Sequence, residues 1–406
     1  MQTMRIKTER IWAVCALSAL VLATPRISHA GNLIDLIPSL YDGDGISLAT
    51  TQAASHTAHF SIASLASINR LNQQIAAEAG GFPFSSSIGG FSFEFDPILG
   101  DFVSTTKTLG PLLAERAATQ GKGRFNSNFS YTYLQYNEFS GESLDDFEVV
   151  ARHDADIVGF PDVLDQFEQE TVGIGMDIDI SVQILALSAT YGLTERLDAG
   201  VLLPYALVDM DVRSTARIIE SPANTLFPHV HTFDEGPESP TDRTSGNASG
   251  LGDVVFRAKY QVSQGEKVHI AAAALLQLGT GDAENFLGTG DTAIRPFLVF
   301  SRTLGHNITP HLNIGYEFNV DQSERSALEY ALGFDAGNNR YTFAGELLGS
   351  HESDGDGIGD DIVDTAWGFK WNPKGRLLVG LNTRFPLNDA GLRSHLASTF
   401  NLEYEF

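Results

Sequence analysis

The last residues of the chain, "LASTFNLEYEF" (396–406), carry the pattern that decides the fold. Their apolar side chains fall at alternate positions, with Ser398 as the one interruption: Leu396, Phe400, Leu402, Tyr404 and Phe406. Because successive residues of a strand point to opposite faces, this period of two predicts a strand with one apolar and one polar face. Soluble sandwiches contain such strands too, so the choice between a sandwich and a membrane barrel depends on how often the pattern recurs.

The same alternation recurs from Arg124 to the end of the chain, and it predicts twelve strands. In the second strand the apolar face contains Met176, Ile178, Ile180, Val182 and Ile184. The third strand is less regular, because Leu202 and Val208 are apolar on the face opposite Val201 and Leu203. We interpret each apolar face as the lipid-facing side of a barrel wall, and each opposite face as the lining of its interior.

The segments between the predicted strands alternate in length. Short connectors occur at 192–196, 263–267, 304–310, 335–340 and 372–376. Mostly longer ones separate them, at 139–173, 218–250, 279–291, 320–326, 350–361 and 387–394. Outer-membrane barrels have tight periplasmic turns, longer outer loops and an even number of strands. Because lipid cannot hydrogen-bond to the backbone, we expect the last strand to pair with the first and close the barrel.

The start of the chain has the three parts of a secretory signal peptide. Three basic residues precede an apolar run at 11–23, and Ser28-His29-Ala30 is a small-x-small cleavage site. The run is too short for a membrane-spanning helix, which needs roughly 20 apolar residues. We therefore expect a signal peptide over residues 1–30, with cleavage after Ala30.

Cleavage there leaves a strongly acidic chain without a thiol. The full sequence has 26 basic and 51 acidic residues, and removal of Arg5, Lys7, Arg10, Arg26 and Glu9 leaves 22 against 50. A surface with this excess of acids repels phosphate backbones, which argues against nucleic acid as a partner. The single cysteine, Cys15, lies in the predicted signal peptide, so disulfides and cysteine chemistry are not expected.

Residues 31–123 differ from the rest, and we expect a plug within the barrel or a periplasmic segment. Phe60–Ala79 has apolar residues at three- and four-residue steps, which predicts a helix, and Gly110–Thr119 is a second helical candidate. An alternative places Phe91–Phe95 and Asp101–Thr105 in the wall as a hairpin, which would make fourteen strands. The predicted organisation is a signal peptide (1–30), an N-terminal segment (31–123) and a transmembrane barrel (124–406).

Charged residues on the polar faces are candidates for lining the lumen: Asp253, Arg257, Lys259, Arg295, Glu317, Glu329, Asp364, Lys370 and Arg384. Opposed charges in a pore wall create a transverse field that selects what passes. The alternative is that they pair and fill a narrow interior. Apolar residues share the inner face: Val255, Leu275, Phe297, Val299 and Leu378. A mixed lining suits small amphipathic or aromatic solutes better than sugars or ions.

The stretch "ESDGDGIGDD" (352–361) has oxygen ligands at alternate positions followed by a glycine, as calcium-binding loops do. The candidate calcium ligands are Glu352, Asp354, Asp356 and Asp360. Val363 stands where a twelfth-position carboxylate would complete the loop, and the alternative is a solvated acidic loop without metal. The sequence contains no catalytic serine elbow, zinc-protease helix or phosphate loop, so we expect no enzymatic activity and no required cofactor.

Two stretches, "TYGLTERLDAGVLLPY" (190–205) and "SGLGDVVFRAKYQV" (249–262), resemble the outer-membrane family named for the meta-pathway of phenol degradation. They contain a Gly-Leu-Thr-x-Arg-Leu-Asp turn, a Leu-Pro-Tyr strand and a Gly-Leu-Gly-Asp strand start. The resemblance covers about residues 174–406 and implies transport of aromatic or other hydrophobic compounds. It carries over no binding residue.

We therefore hypothesise a monomeric all-β protein of the bacterial outer membrane, an antiparallel up-and-down barrel that acts as a passive channel for small hydrophobic molecules. Its expected partners are the lipid bilayer, the solute and the outer-membrane insertion machinery, because Phe406 resembles the terminal aromatic signal which that machinery reads. The alternative from another class is a non-conducting surface protein, adhesive or structural, whose acidic loops bind calcium. Conductance measurements separate these two hypotheses.

Overall fold

The structure, a computed structural model, describes most of the chain from residue 31 onward. The described residues are 31–40, 65–80, 93–96, 101–104, 107–152, 171–220, 232–233, 236–239, 241–265, 268–304, 307–353 and 361–406. The predicted signal peptide therefore lies outside the described residues, and so does most of the acidic loop at 352–361.

Antiparallel strands form a closed barrel of twelve. Their bounds are β1 (Phe125–Tyr136), β2 (Thr171–Gly192), β3 (Leu197–Ile219), β4 (Val254–Gln264), β5 (Val268–Leu278), β6 (Ala293–Arg302), β7 (Ile308–Asn319), β8 (Ala327–Gly337), β9 (Tyr341–Glu352), β10 (Asp361–Trp371), β11 (Leu377–Pro386) and β12 (Ala397–Glu405). The ring closes where β12 pairs with β1, in a register that sets Phe400 opposite Tyr131. The predicted all-β class and the predicted twelve strands are confirmed.

Further short strands lie outside the ring. Phe93–Asp96 pairs with Asp101–Ser104 in a separate hairpin, so the alternative with fourteen wall strands is wrong. The wall has no place for this hairpin, because β1 and β12 already pair with each other. Phe147–Arg152 extends the sheet beside β2, and Asp242–Leu251 extends it beside β3. A small three-stranded sheet contains Glu138–Phe139, Glu142–Ser143 and Leu392–Arg393.

Two α-helices precede the barrel, α1 (Leu36–Ser39) and α2 (Leu65–Gly80). Short 3₁₀ turns occur at Leu33–Asp35, Leu144–Asp146, Ala283–Asn285 and Ser323–Arg325. The predicted helix at Phe60–Ala79 is observed from Leu65 onward, and residues 60–64 lie outside the described part. The helix predicted at 110–119 is wrong, since these residues are irregular. In the described part of the chain, no helix has both the length and the apolar character needed to cross a membrane.

Near the short turns the barrel is apolar outside and polar inside. Leu298 and Phe256 are each 45% exposed on the outer surface, whereas Lys259 and Asn313 point inward and are buried. Along β12, burial alternates residue by residue as the sequence predicts. An outward apolar belt of this kind is the surface that hydrocarbon solvates. We call this part the membrane zone: residues 125–133 of β1, 185–192 of β2, 197–207 of β3, and strands β4–β12.

The pattern inverts where β2 and β3 continue beyond that belt. These strands have 22 and 23 residues, whereas about 9–11 residues cross a bilayer. The five apolar side chains of β2 named above, from Met176 to Ile184, point inward and are at most 2% exposed. Our expectation that this face meets lipid is therefore wrong, because here the outward side chains are polar, as Asp177 and Asp179 are. We call this part the outer zone: residues 172–184, 208–218, 147–152 and 242–251.

The N-terminal helices fill the inside of the outer zone. Leu36 and Ile37 of α1, with Leu71 and Ile75 of α2, are buried in one apolar cluster with the inward side chains of β2 and β3. Contact is close at Gly246 of the added strand, where a Cβ would lie 2.8 Å from the Leu33 side chain. The main apolar core of the molecule therefore lies in the outer zone.

Candidate functional site

Residues 107–122, which we call the lumen segment, run inside the membrane zone just before β1 begins. Their side chains from Thr108 to Ala117 are buried, and the backbone has no regular secondary structure. Polar side chains of the wall bind this backbone instead. A buried backbone needs such partners, because an unpaired N–H or C=O group away from water is costly.

Glu346 of β9 holds the centre of the lumen segment. Its carboxylate accepts hydrogen bonds from the backbone N–H groups of Leu112, Leu113 and Ala114, at 2.6, 2.9 and 3.0 Å. Asn313 of β7 accepts from the Glu115 N–H at 2.6 Å and donates to the Glu115 carbonyl at 3.0 Å. These wall side chains take the backbone groups that a helix would use, which is the physical reason that the helical prediction fails here.

Two lysines of the wall complete this binding. Lys259 of β4 donates to the carbonyls of Arg116 at 2.7 Å and Ala118 at 2.5 Å, and Lys370 of β10 donates to the carbonyl of Pro111. Lys259 is fully buried, so its ammonium group has exchanged water for these carbonyls and for the Glu115 carboxylate 3.7 Å away. The lumen segment is thus held by charged side chains on several strands.

Above the lumen segment lies a chamber with a volume of about 350 Å³. Leu113, Ala114 and Glu115 of the lumen segment line it on the turn side, and Gln74, Ala77 and Glu78 of α2 line it on the outer side. The barrel wall encloses it between these two covers. A chamber of this volume is at the lower end of the range found for small-molecule sites, which is about 300–1,000 Å³.

The chamber wall carries paired charges. Arg295 bonds to Glu317 and lies 2.9 Å from the Glu329 carboxylate, and the guanidinium of Arg257 lies 2.5 Å from Glu115. The guanidinium of Arg384 lies 3.1 Å from the Asp364 carboxylate and 3.9 Å from the Glu78 carboxylate. Apolar side chains lie between these pairs: Leu202, Val255, Leu275, Phe297 and Leu348. The lining is therefore amphipathic.

Glu78 is the charged residue that α2 contributes to the chamber. Burial raises the pKa of Glu78 above its ordinary value, and the nearby Arg384 guanidinium offsets only part of this effect. The protonated form is therefore favoured in the folded protein, relative to an exposed glutamate.

Six of the nine residues predicted to line the lumen come together around the chamber: Arg257, Arg295, Glu317, Glu329, Asp364 and Arg384. Lys259 and Lys370 also point inward, where they bind the lumen segment. Asp253 lines neither the chamber nor the seat of the lumen segment. Its carboxylate accepts from the backbone N–H groups of Gly281 at 2.8 Å and Thr289 at 2.7 Å, so it braces the loop between β5 and β6.

The apolar residues predicted on the inner face divide in the same way. Val255, Leu275 and Phe297 line the chamber. Val299 is fully buried against Ala117 of the lumen segment, and Leu378 is buried against Leu109. The chamber and the seat of the lumen segment therefore share one wall.

Several residues of the site were missed at the sequence level. Glu346 and His311 stand on the inner faces of β9 and β7, where the alternation would have included them; the His311 imidazole lies 3.6 Å from Glu346 and 3.7 Å from Asp335. Glu115 and Arg116 lie in the stretch predicted as a helix, so the sequence gives no reason to place them against the barrel wall. Glu78 could not have been found, because no pattern shows which face of α2 meets the chamber.

The predicted calcium loop is only partly visible. Asp354, Asp356 and Asp360 lie outside the described residues. Glu352 is at the end of β9 and lines the chamber. Where the structure describes the chain, it contains no group of three or more His, Cys, Asp or Glu side chains arranged to hold a metal ion.

Residues 162–401 match the protein family described as "Putative MetA-pathway of phenol degradation". This match spans more than half of the chain. The chain belongs to this family. The resemblance found in the two sequence stretches is thereby confirmed. No curated protein sequence matches the chain at a significant level.

The chain also has distant similarity to several solved structures. The COG4313 outer membrane channel from Pseudomonas putida F1 is 13% identical, with 71% of this chain and 98% of that chain covered and a TM-score of 0.45. The CymD monoaromatic hydrocarbon channel is 10% identical, with 70% and 88% covered and a TM-score of 0.35. A Pseudomonas aeruginosa FadL homologue is 10% identical, with 70% and 89% covered and a TM-score of 0.33.

In its described residues, this family member is a closed β-barrel with an apolar belt on its outer surface. The closed wall satisfies every requirement that lipid places on a spanning sheet, because its strands pair around the ring and its exposed belt is apolar.

Proposed function

We propose that the protein is a channel for small amphipathic or aromatic molecules, which cross the outer membrane passively by way of the chamber. The observation that carries this proposal is the lining of the chamber, where apolar side chains such as Phe297 and Leu275 lie between ion pairs. The description of the family, phenol degradation, belongs to the same chemical class of solute.

Because of the paired charges, we expect a sugar or a hydrated ion to be a poor substrate. Arg295 is already shared between Glu317 and Glu329, and Arg257 is engaged by Glu115. A solute with many hydroxyl groups would have to break these pairs or lose its own water without replacement, and each lost hydrogen bond costs about 1–3 kcal/mol. An aromatic ring instead displaces water from the apolar side chains of the chamber, while its polar group forms a hydrogen bond with one of the ion pairs.

Passage also requires a cover to move, because α2 and the lumen segment lie on opposite sides of the chamber. Charged wall residues bind the lumen segment at several backbone positions. α2 is held instead by apolar packing of Leu71 and Ile75, which has no fixed direction, and its polar contacts include the Asn72 amide on the Ile34 carbonyl and Arg325 on the Gln73 carbonyl. We therefore propose that α2 moves during transport and that the lumen segment stays seated as a plug.

The test compares two neighbouring tryptophan substitutions in β8. Ala331 is buried and lines the chamber, whereas Leu332 is 52% exposed on the lipid side. Ala331→Trp fills the chamber and is expected to lower the uptake of small phenols into proteoliposomes at least tenfold. Leu332→Trp adds the same side chain to lipid and is expected to leave uptake unchanged.

The unaltered protein provides the decisive control. Phenol uptake faster than in protein-free vesicles, with little swelling in sugars, supports the proposed channel. A barrel that passes no solute and shows no conductance contradicts it and supports the alternative of a non-conducting surface protein. Equal loss of uptake in both variants would mean that the chamber is not the route.

A further inference from the structure

The rim of the barrel at the short turns is basic, although the chain as a whole has 26 basic and 51 acidic residues. Among the described residues, this turn rim contains 121–124, 193–196, 302–304, 338–340, 372–376 and 406, while residues 266–267 of the turn between β4 and β5 lie outside the described part. Its exposed basic side chains are Lys122, Arg196, Arg302, Arg340, Lys374 and Arg376. Among the described residues of this rim, Glu195 is the one exposed acidic side chain.

These basic residues differ from the arginines of the outer zone in whether a carboxylate lies within ion-pair distance. There Arg213 lies 3.5 Å from Asp177, Arg217 lies 2.8 Å from Glu148, and Arg243 lies 2.7 Å from Asp211. Within the described residues, no exposed basic side chain of the turn rim has a carboxylate within ion-pair distance. The rim therefore keeps its positive charge available, whereas the outer zone neutralises its own.

Aromatic side chains fix the depth of the turn rim in the membrane. Tyr341 and Trp371 are 44% and 39% exposed on the outer surface, directly beside rim residues. The guanidinium carbon of Arg340 lies 5.7 Å from the centroid of the Tyr341 ring. Tyrosine and tryptophan concentrate at the level of the lipid headgroups, so the neighbouring basic side chains reach that level too.

We propose that the turn rim binds the anionic headgroups of phospholipids in the leaflet around it. Lysine and arginine bind phosphate through charge-assisted hydrogen bonds. The six side chains are distributed over five places on the rim: before β1, and in the turns between β2 and β3, β6 and β7, β8 and β9, and β10 and β11. A ring of this kind matches lipids, which surround a barrel on all sides, better than a protein that docks at one place.

The chain offers a built-in reporter for this proposal. Its tryptophans are Trp12, in the predicted signal peptide, and Trp367 and Trp371 on β10. Trp367→Phe leaves Trp371 as the single tryptophan of the barrel, three residues before Lys374. The quenching of Trp371 by brominated phosphatidylglycerol is then compared with quenching by brominated phosphatidylcholine, at equal mole fraction in phosphatidylcholine vesicles that contain the whole barrel.

We expect the sites near Trp371 to bind phosphatidylglycerol with at least five-fold higher affinity than phosphatidylcholine. One basic residue near a surface contributes about five-fold in affinity for anionic lipid. The preference is expected to fall as salt rises, because the Debye length shortens from about 10 Å at 0.1 M to about 3 Å at 1 M. Lys374→Glu with Arg376→Glu is expected to abolish it. Arg213→Glu, at the opposite end of the barrel, is expected to preserve it.

Equal quenching by the two lipids in the reporter protein would overturn the proposal, and would leave an acidic periplasmic protein as the partner to test. A preference that survives Lys374→Glu with Arg376→Glu would overturn it as well, since the binding would then come from elsewhere. Should the double variant fail to fold, Lys374→Gln with Arg376→Gln removes the charges without reversing them, and heat-modifiable migration in gels reports the folded barrel.

Discussion

Strand β2 belongs to two environments along its 22 residues, and its side chains exchange faces between them. In the membrane zone Leu185 and Leu187 point outward, and Ser188 and Thr190 point inward. In the outer zone Ile180 points inward, and polar residues point outward. The backbone continues without interruption, so the change lies in what surrounds the wall: hydrocarbon in one zone and water in the other.

The contents of the two zones differ accordingly. Inside the membrane zone, the lumen segment is held by carboxylates, lysines and amides of the wall. Inside the outer zone, α1 and α2 are held by apolar packing, as in a water-soluble protein. One protein therefore combines a membrane zone that is polar inside with an outer zone whose core is apolar. The chamber lies where the two zones meet.

Truncation of a buried apolar side chain tests the apolar core of the outer zone. Ile180→Ala opens a cavity at a fully buried position, and such a change costs about 2–5 kcal/mol in free energy of unfolding. Leu298→Ala, on the lipid face, leaves no enclosed cavity, so we expect a clearly smaller cost, below about 2 kcal/mol. Guanidinium unfolding of the barrel in vesicles measures both. A larger cost for Leu298→Ala would contradict the assignment of the two zones.

Introduction of a charge on the outer surface tests the boundary between the zones. Leu298→Arg puts a guanidinium into hydrocarbon and is expected to cost about 2–4 kcal/mol near the middle of the membrane. Ser181→Arg puts the same group into water, opposite Asp209, and is expected to change stability by at most about 0.5 kcal/mol. Equal costs in the same unfolding experiment would mean that the outer surface has no such boundary.

Loss of one wall carboxylate tests how the lumen segment is held. Glu346→Gln retains the shape but removes the charge that binds Leu112, Leu113 and Ala114, and the loss of charge-assisted bonds costs about 1–3 kcal/mol. We expect faster amide hydrogen exchange in the peptide covering 107–120 and unchanged exchange in α2. Leu71→Ala is the matched control: we expect it to accelerate amide exchange in α2 and to leave exchange in the peptide covering 107–120 unchanged. Uniform acceleration in both segments would contradict separate anchoring.

The pH dependence of stability tests the contact of α2 with the chamber. A raised pKa means that folded Glu78 holds its proton more tightly than unfolded Glu78 does. The folded state therefore loses stability as the pH rises from the ordinary glutamate pKa of 4.5 toward the raised pKa of folded Glu78. Glu78→Gln cannot ionise, so its stability relative to the unaltered protein should increase over that window. A constant difference across the window would mean that Glu78 is not desolvated.

Much of the fold follows from the sequence because strands have a period of two. The alternation predicts the strands and the inward direction of residues such as Arg257 and Lys370, and the alternation of loop lengths predicts which ends meet the periplasm. The inversion in β2 is also present in the sequence, as a change of apolar phase between Ile184 and Leu185. Its meaning requires the position of the membrane surface, which a period of two does not contain.

The lumen segment could not be predicted for a different reason. Gly110–Thr119 has a composition that a helix accepts, and nothing nearby in the sequence opposes one. The competing partners, Glu346 and Asn313, are about 200 residues or more away along the chain and become available only when the barrel closes. Tertiary hydrogen bonds therefore override a local preference, as they often do where propensity is weak.

Spin labels at two positions test the central claim most directly. The chain has no cysteine beyond Cys15, so Leu298→Cys and Ser181→Cys each give one labelling site in a chain from which the predicted signal peptide has been removed. In vesicles we predict that the label at 298 collides more with oxygen than with a water-soluble nickel chelate, and that the label at 181 shows the reverse. Labels that are both water-accessible, or both lipid-accessible, would contradict the account of one wall in two environments.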